Sequence, residues 1–311
     1  MRLFFFLIGS EKMSIASDTM RTRSGRDDAI RDAGLTEPAD VIKYKNIAYG
    51  EEPVWNLLDV FRPEGHDKEK LPVIVNVHGG GWVYGDKELY RFYSMSLAQR
   101  GFAVVSFSYR LAPENKFPAP MEDINAVFTW IADHAGEYGL DLDHLFAVGD
   151  SAGANLLGLY ACVLTNPAYA VRYAFTAPAD RIRFRAVAFN CGAFRMQPLY
   201  GNPEETPEVV MLMEDLFGRK FGTEESYMIS VTNHVTPEFP PTFLMTCSHD
   251  FLKDQAPLMA AELLRCNVPF AFRFYAAADK PLLHVFHCNM RLAEAARCND
   301  DECAYFRKFL G

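Results

Sequence analysis

Short apolar runs and longer segments of helical periodicity alternate along this chain. The run at 71–77 is almost continuously β-branched, which is typical of a strand buried on both faces. The apolar runs predict strands at 41–49, 57–61, 71–77, 102–107, 145–148, 184–189, 241–246 and 270–274, the last of them at a sheet edge. The periodic segments predict helices at 13–34, 87–99, 119–134, 152–164, 208–217, 253–266 and 290–309. This alternation predicts an α/β protein with a mostly parallel central sheet flanked by helices.

One long segment interrupts the alternation before the seventh strand. Residues 195–238 carry prolines at 198, 203, 207 and 237. Insertions of this length between sheet strands are usually lids, so we expect a helical cap there. We expect residues 1–40 to begin disordered and then to join the cap, which leaves 41–311 as the main domain. Four residues of the insertion are expected to cover the mouth of a pocket, by packing more than by substrate contact: Met211, Met213, Leu216 and Phe217.

Composition excludes several classes of protein. Half of the 311 residues are hydrophobic and 14% are aromatic, which is enough for a large core. The net charge of −9, without a Lys/Arg-rich run, argues against nucleic acid or an anionic membrane as the main partner. The seven cysteines are odd in number and lack metal-site spacing, which favours reduced thiols in a cytoplasmic protein without a bound metal. Residues 1–8 imitate an export signal without a cleavage site, so we favour Met13 as the natural start and keep an export signal as the alternative.

The sequence Gly149-Asp-Ser-Ala-Gly153 joins a predicted strand to a predicted helix. A serine on such a tight turn is crowded by the strand and the helix, and glycines two positions away on either side relieve the crowding. The turn exposes the serine hydroxyl, and the free N–H groups at the start of the helix point toward whatever the hydroxyl attacks. Ser151 is therefore the candidate nucleophile. The alternative is an ordinary serine in a glycine-rich turn.

A second glycine-rich sequence, His78-Gly-Gly-Gly-Trp82, directly follows the predicted strand at 71–77. Three consecutive glycines let the backbone approach a substrate closely and let its N–H groups converge, as a tetrahedral oxyanion requires. Ligands bind outside the carboxyl ends of parallel strands, which favours an oxyanion hole here over a plain flexible loop. We expect His78 to be a structural hydrogen-bonding residue of this loop.

A nucleophilic serine needs a base that is oriented by a carboxylate. For a serine on a strand-to-helix turn, the chain order is serine, acid, histidine. Asp250 lies just beyond the predicted strand at 241–246 and is preferred as the acid over Asp254, which is expected to be solvated or to cap a helix. His284 and His287 follow the last predicted strand. We choose His284 as the base and keep His287 as the alternative, whereas His249 adjoins Asp250 too closely in sequence to face it.

Together these motifs resemble the hormone-sensitive-lipase-like esterases, a family with the α/β-hydrolase fold. The resemblance covers about residues 41–310 and rests on His78-Gly-Gly-Gly81, Gly149-Asp-Ser-Ala-Gly153, Tyr109-Arg-Leu-Ala-Pro-Glu114 with Phe117-Pro-Ala-Pro120 and Asp123, Asp250-x-Leu-x-Asp254 and His284-x-Phe286. It implies oxyanion N–H groups from Gly80, Gly81 and Ala152, and a cap built from the N-terminal segment and the insertion. One departure is Val285, because the family usually has glycine after the histidine. Trp82 is also similar to its counterpart in feruloyl- and acetyl-esterase relatives and arylformamidases.

The sequence therefore predicts a serine carboxylic-ester hydrolase with a catalytic triad of Ser151, Asp250 and His284. Because Trp82 and Tyr84 narrow the expected pocket, we predict short acyl esters as substrates, including acetyl and aromatic-acid esters. No cofactor and no stable membrane association are predicted, the partner is a small-molecule ester, and a homodimer is left open. Three alternatives remain: an arylformamidase or amidase with the same triad, a non-catalytic ligand receptor on this scaffold, and a lipase that acts at lipid interfaces.

Overall fold

One eight-stranded sheet organises the described residues, which are 13–66, 69–196 and 207–311 of this computed structural model. Its strands are β1 (Val41–Ala48), β2 (Leu57–Pro63), β3 (Leu71–Val77), β4 (Ala103–Phe107), β5 (Leu140–Asp150), β6 (Phe184–Asn190), β7 (Thr242–Cys247) and β8 (Phe270–Tyr275). Their order in the sheet is β1-β2-β4-β3-β5-β6-β7-β8. Strand β2 is antiparallel to β1 and β4, and all other neighbours are parallel. The predictions for residues 1–12 and 197–206 lie outside the described residues.

Helices cover both faces of the sheet, as the sequence predicts. They are α1 (Ile15–Asp32), α2 (Arg91–Ala98), α3 (Ala119–His134), α4 (Ser151–Thr165), α5 (Pro167–Ala170), α6 (Pro207–Phe217), α7 (Thr223–Ile229), α8 (Gln255–Arg265) and α9 (Ala293–Arg307). Successive strand side chains point to opposite faces, so Val73 and Val75 of β3 join one hydrophobic core and Ile74 joins the other. Within the described ranges, none of these helices has both the length and the apolar character that crossing a bilayer requires.

Two predicted boundaries differ from the structure for identifiable reasons. The helix predicted at 87–99 begins only at Arg91. Residue Lys87 is buried instead, with Nζ 3.0 Å from a carboxylate oxygen of the equally buried Asp59 in β2. Strand β5 begins five residues earlier than predicted, because its first residues pair with Leu71 and Pro72 before a register shift. Both differences come from contacts between residues that are distant in sequence.

Helix α1 is fastened over the carboxyl ends of the central strands. Arg21 Nη2 lies 2.7 Å from a carboxylate oxygen of Glu114, and Arg21 Nε donates to the Val83 carbonyl at 2.8 Å. The Ser17 hydroxyl donates to the carboxylate of Asp215 in α6. These bonds join α1 to the loops that follow β3 and β4, and to the helical part of the 195–238 insertion.

Candidate active site

The strand-to-helix turn at Ser151 has the strained geometry that its sequence predicts. Strand β5 ends at Asp150, helix α4 begins at Ser151, and Ser151 has a φ of 50°, in a region that residues other than glycine rarely adopt. A Cβ added to Gly149 would lie 2.7 Å from the Gly153 carbonyl oxygen, and one added to Gly153 would lie 2.1 Å from that of Val77. Only glycine therefore fits at both positions, and the turn presents the Ser151 side chain at the carboxyl edge of the sheet.

Ser151 opens into a pocket of about 380 Å³. Gly80 and Gly81 of the glycine loop line this pocket, and so does His284. Apolar side chains from α1, the glycine loop, the insertion and α6 form much of the wall: Met20, Trp82, Met196, Val209 and Leu212. The structure therefore brings the predicted nucleophile, base and oxyanion loop to one cavity.

Asp250 and His284 form a close pair at the edge of this pocket. His284 Nδ1 lies 2.6 Å from Asp250 Oδ1, and the Asp250 carboxylate also accepts from the Thr246 hydroxyl at 2.7 Å and the Leu252 N–H at 2.9 Å. Burial acts to raise the pKa of Asp250, but the hydrogen bonds from His284 and Thr246 outweigh it and lower the pKa. An ionised Asp250 fixes the imidazole proton on Nδ1, which leaves Nε2 of His284 free to accept a proton.

His287, the alternative base, has different surroundings. Its imidazole is fully buried, and burial lowers its pKa to about 3. The ring lies edge-on to Tyr93 with 4.9 Å between ring centroids, and it does not line the pocket. This histidine therefore packs in the core as a neutral residue, in contact with neither Ser151 nor Asp250 among the described hydrogen bonds.

The departure from the family pattern at Val285 has a clear structural correlate. Val285 has a φ of 54° and a ψ of 32°, which is the left-handed helical region. Glycine enters this region freely, whereas a β-branched residue is strained there. The backbone after His284 therefore keeps the conformation that suits glycine, although the residue is valine.

A chain of hydrogen bonds that the sequence analysis missed connects the glycine loop to Asp150. Gly79 N–H donates to the Tyr90 hydroxyl at 3.0 Å, and that hydroxyl donates to the Asp150 carboxylate at 2.8 Å. Burial raises the pKa of Asp150 to about 6, against the opposing effect of the Tyr90 hydrogen bond. The N–H groups of Gly80 and Gly81 have no acceptor among the described residues.

Two further features suit an oxyanion site. Gly80 and Gly81 have φ values of 112° and 60°, and a Cβ on Gly80 would lie 1.9 Å from the Tyr84 carbonyl oxygen. Ala152 is the second residue of α4, and the first N–H groups of a helix have no acceptor within it.

His78 and the Tyr109–Glu114 motif pack next to the glycine loop. The His78 ring is fully buried and stacks on Tyr109 with 4.0 Å between centroids, and its Nδ1 lies 2.7 Å from the Gly79 carbonyl. Burial lowers the pKa of His78 to about 4, so the ring is neutral at physiological pH. The Tyr109 hydroxyl donates to the His78 carbonyl at 2.9 Å, and Arg110 pairs with Asp123 at 2.9 Å. The structural interpretation of His78 fits these contacts.

Helix α1 supplies a polar wall whose members the sequence analysis did not assign to the site. Its pocket-facing residues recur at helical spacing, namely Met20, Arg23, Ser24, Asp27, Asp28 and Arg31. Arg31 Nη1 lies 2.8 Å from Asp28, and the Tyr84 hydroxyl donates to Asp28 at 2.9 Å. The spacing of three and four residues was the available signal, but a mostly polar helix gives no indication of which face will meet a pocket.

Helix α6, which lies in the insertion, contacts the pocket through residues other than the four that the sequence analysis named. Val209 and Leu212 line the cavity. Met213 and Leu216 are fully buried, and the Phe217 ring packs against Phe117 with 5.3 Å between centroids. The four residues predicted to cover the pocket mouth, Met211, Met213, Leu216 and Phe217, do not line the cavity and pack against the core instead, so that prediction is wrong for them. Other residues of α6 reach the cavity in their place.

One group of potential metal ligands occurs among the described residues. Donor atoms of Cys191, Asp250 and His284 lie within 4.8 Å of one another. Two tetrahedral zinc ligands would be about 3.3 Å apart, whereas the Asp250 and His284 atoms are 2.6 Å apart. Burial raises the pKa of the Cys191 thiol well above its usual range, which makes it a poor ligand. The geometry of this group fits a hydrogen-bonded pair better than a metal site.

Known proteins share this fold and parts of this sequence. A crystal structure of esterase B from Lactobacillus rhamnosis, with a C4-C4 tributyrin phosphonate inhibitor, matches 93% of this chain and 92% of its own with a TM-score of 0.82 and 25% identity. The versiconal hemiacetal acetate esterase of Dothistroma septosporum is 27% identical over 65% of this chain and 64% of its own length. Esterase LipC of Mycobacterium tuberculosis is 30% identical over 40% of this chain and 31% of its own. The chain thus spans less than two thirds of either curated relative.

These similarities establish the class of protein: the chain has the α/β-hydrolase fold, as the sequence predicts. The family follows from the sequence match. The BD-FAE family model matches residues 58–263, which is well over half of the chain, so the chain belongs to the BD-FAE family. This confirms the resemblance to the hormone-sensitive-lipase-like esterases.

Proposed function

We propose that the protein is a serine carboxylic-ester hydrolase with Ser151 as nucleophile, His284 as base and Asp250 as orienting acid. The observation that carries the proposal is the 2.6 Å contact of His284 Nδ1 with Asp250, in a pocket that also contains Ser151 and the glycine loop. An imidazole oriented by a buried carboxylate next to a strained serine turn is the arrangement that nucleophilic acyl transfer requires.

In this proposal the reaction has two halves. The Ser151 hydroxyl attacks the ester carbonyl carbon while His284 Nε2 takes its proton, and the N–H groups of Gly80, Gly81 and Ala152 bind the developing oxyanion. The carbon–oxygen bond to the alcohol then breaks, and His284 returns the proton to the leaving oxygen. Water attacks the resulting acyl-enzyme by the same route and releases the carboxylic acid.

The shape of the pocket supports short acyl groups. Its volume of about 380 Å³ is at the small end of ordinary ligand pockets, and the rings of Trp82 and Tyr84 line it. A Cβ added to Gly81 would lie 2.5 Å from the Met20 sulfur and 3.6 Å from Leu212 Cδ1, so these side chains stand close above the oxyanion loop. An acyl chain that leaves the loop in their direction meets a wall after a few carbons. The acetate ester and C4 ligand in the names of two similar proteins are consistent with this proposal.

We expect kcat/KM for p-nitrophenyl esters to be highest for acyl chains of about two to six carbons and to collapse for longer chains. Each well-buried methylene contributes about 0.8 kcal/mol until the chain meets the wall, which is roughly fourfold in kcat/KM per carbon. The measurement is a series of esters from two to sixteen carbons at concentrations below their solubility limits. A kcat/KM that continues to climb through twelve carbons would contradict the short-acyl proposal and favour the lipase alternative.

The amidase and arylformamidase alternatives share the triad and differ from an esterase in substrate. Matched acetyl esters and acetyl anilides, together with N-formyl arylamines, separate an esterase from an amidase or arylformamidase. The pairing of His284 with the buried Asp250 argues against a non-catalytic receptor, because a receptor has no need for an oriented base. Seven buried free cysteines favour the reducing cytoplasm as the compartment.

A further inference from the structure

Two large apolar side chains stand exposed beside the proposed base. Phe251 is 68% exposed and Leu283 is 61% exposed, and both line the pocket that contains Ser151. Phe251 follows Asp250 directly in sequence, and Leu283 directly precedes His284. Large apolar side chains gain free energy when they leave water, so two of them at the rim of one cavity indicate a surface that an apolar ligand covers.

The Phe251 ring and the loops that carry both side chains make defined contacts. The Phe251 ring lies over the His284 imidazole, with 4.2 Å between ring centroids and an angle of 45° between the planes. The loop of Phe251 is closed by the hydrogen bond from Leu252 N–H to Asp250 Oδ1 at 2.9 Å. The loop of Leu283 is joined to it, because His249 N–H donates to the Leu282 carbonyl at 3.0 Å. These bonds connect the loops of the apolar rim to the Asp250–His284 pair, so a ligand that binds the rim has less loop conformation to order.

The chemistry of acyl transfer identifies which part of a substrate reaches this rim. His284 must donate its proton to the oxygen of the departing alcohol, so that oxygen lies within hydrogen-bond reach of the imidazole. The group attached to that oxygen then lies next to the residues that flank His284. The part of the pocket lined by α1 differs in character, since it presents charged groups such as Arg31 and Asp28 that pair with each other.

We propose that Phe251 and Leu283 form a leaving-group subsite that selects esters of apolar alcohols, aromatic ones above all. The proposal rests on the esterase function proposed above and names the alcohol half of its substrate. A planar aromatic alcohol stacks on the exposed Phe251 ring while Leu283 contacts its edge, and aromatic pairs gain free energy beyond their buried area.

The test compares benzyl acetate with methyl acetate, which have the same acyl group and leaving alcohols of similar acidity. We expect the wild-type ratio of the two kcat/KM values to be at least about tenfold in favour of benzyl acetate. Phe251→Ala is expected to lower this ratio about threefold to tenfold, Leu283→Ala is expected to lower it less, and Phe251→Trp is expected to restore it. Cyclohexylmethyl acetate separates aromatic stacking from simple apolar burial, because only stacking favours the benzyl ester over it.

The matched control is Phe274→Ala, which removes a 59% exposed phenylalanine of β8 that does not line the pocket, and its ratio should equal that of the wild type. An unchanged ratio in Phe251→Ala, with both acetates still hydrolysed, would overturn the subsite alone. If Phe251→Ala loses only the hydrolysis of emulsified triglyceride, that result would also overturn the subsite and would assign the rim to lipid contact. If the folded wild-type protein hydrolyses neither acetate nor any p-nitrophenyl ester, the esterase function itself fails.

Discussion

Replacing Ser151 with alanine is expected to lower kcat for ester hydrolysis by about 10⁴-fold or more. The hydroxyl of Ser151 is the only proposed nucleophile, and the residual rate would come from substrate binding and the oxyanion N–H groups. Alanine fits the turn nearly as well as serine, because both carry a Cβ at the same strained φ of 50°. The measurement is kcat on p-nitrophenyl acetate, with thermal unfolding to show that the variant is folded.

A matched control comes from the neighbouring loop. Ser248 follows β7, its hydroxyl contacts His249 at 3.0 Å, and it does not line the pocket. Ser248→Ala should therefore keep kcat within about twofold of the wild-type value, as surface substitutions usually do. A folded Ser151→Ala protein with more than about a tenth of wild-type kcat would show that another residue carries the reaction.

The second large effect concerns the two histidines that follow β8. His284→Ala is expected to lower kcat about 10⁴-fold, because neither Ser151 nor the leaving alcohol then has a proton acceptor or donor. His287→Gln is expected to keep kcat within about tenfold and to lower the melting temperature, because His287 is a buried neutral residue packed on Tyr93. The two variants are compared by kcat and by thermal unfolding under the same conditions.

The opposite result would reassign the base. If His287→Gln abolishes turnover in a folded protein while His284→Ala retains it, the contact of His284 with Asp250 is structural. Addition of imidazole provides an independent check, because a small base that restores part of the activity of His284→Ala identifies the missing group as a proton acceptor.

Much of the fold was predictable because the information is local. Continuous β-branched runs such as 71–77 identified strands buried on both faces, and the glycines at 149 and 153 identified the turn at Ser151. The rule that ligands bind at the carboxyl ends of parallel strands placed the glycine loop and Asp250 at one edge of the sheet. These inferences need no knowledge of which helix packs against which strand.

Features that depend on distant contacts were not predictable in the same way. Lys87 was predicted to begin a helix, but it lies before the helix and its buried side chain pairs with Asp59 of β2. The link from Gly79 through Tyr90 to Asp150 spans 71 positions in sequence, and no spacing rule connects its members. Such contacts become visible only when the tertiary structure brings the elements together.

Val285 lies between these two cases. A valine after the histidine departs from the family pattern, and sequence alone does not show whether the backbone changes with it. The φ of 54° places Val285 in the left-handed region that suits glycine, so its backbone is strained next to His284.

The central claim is that Ser151 is a hydroxyl nucleophile activated by His284. The most direct measurement is reaction with a fluorophosphonate, followed by intact mass and peptide mapping. We expect one phosphonyl group per chain, located on Ser151, with no label on Ser151→Ala and labelling at least about 10³-fold slower in His284→Ala. Labelling of another residue, or of Ser151 at an undiminished rate without His284, would contradict the account.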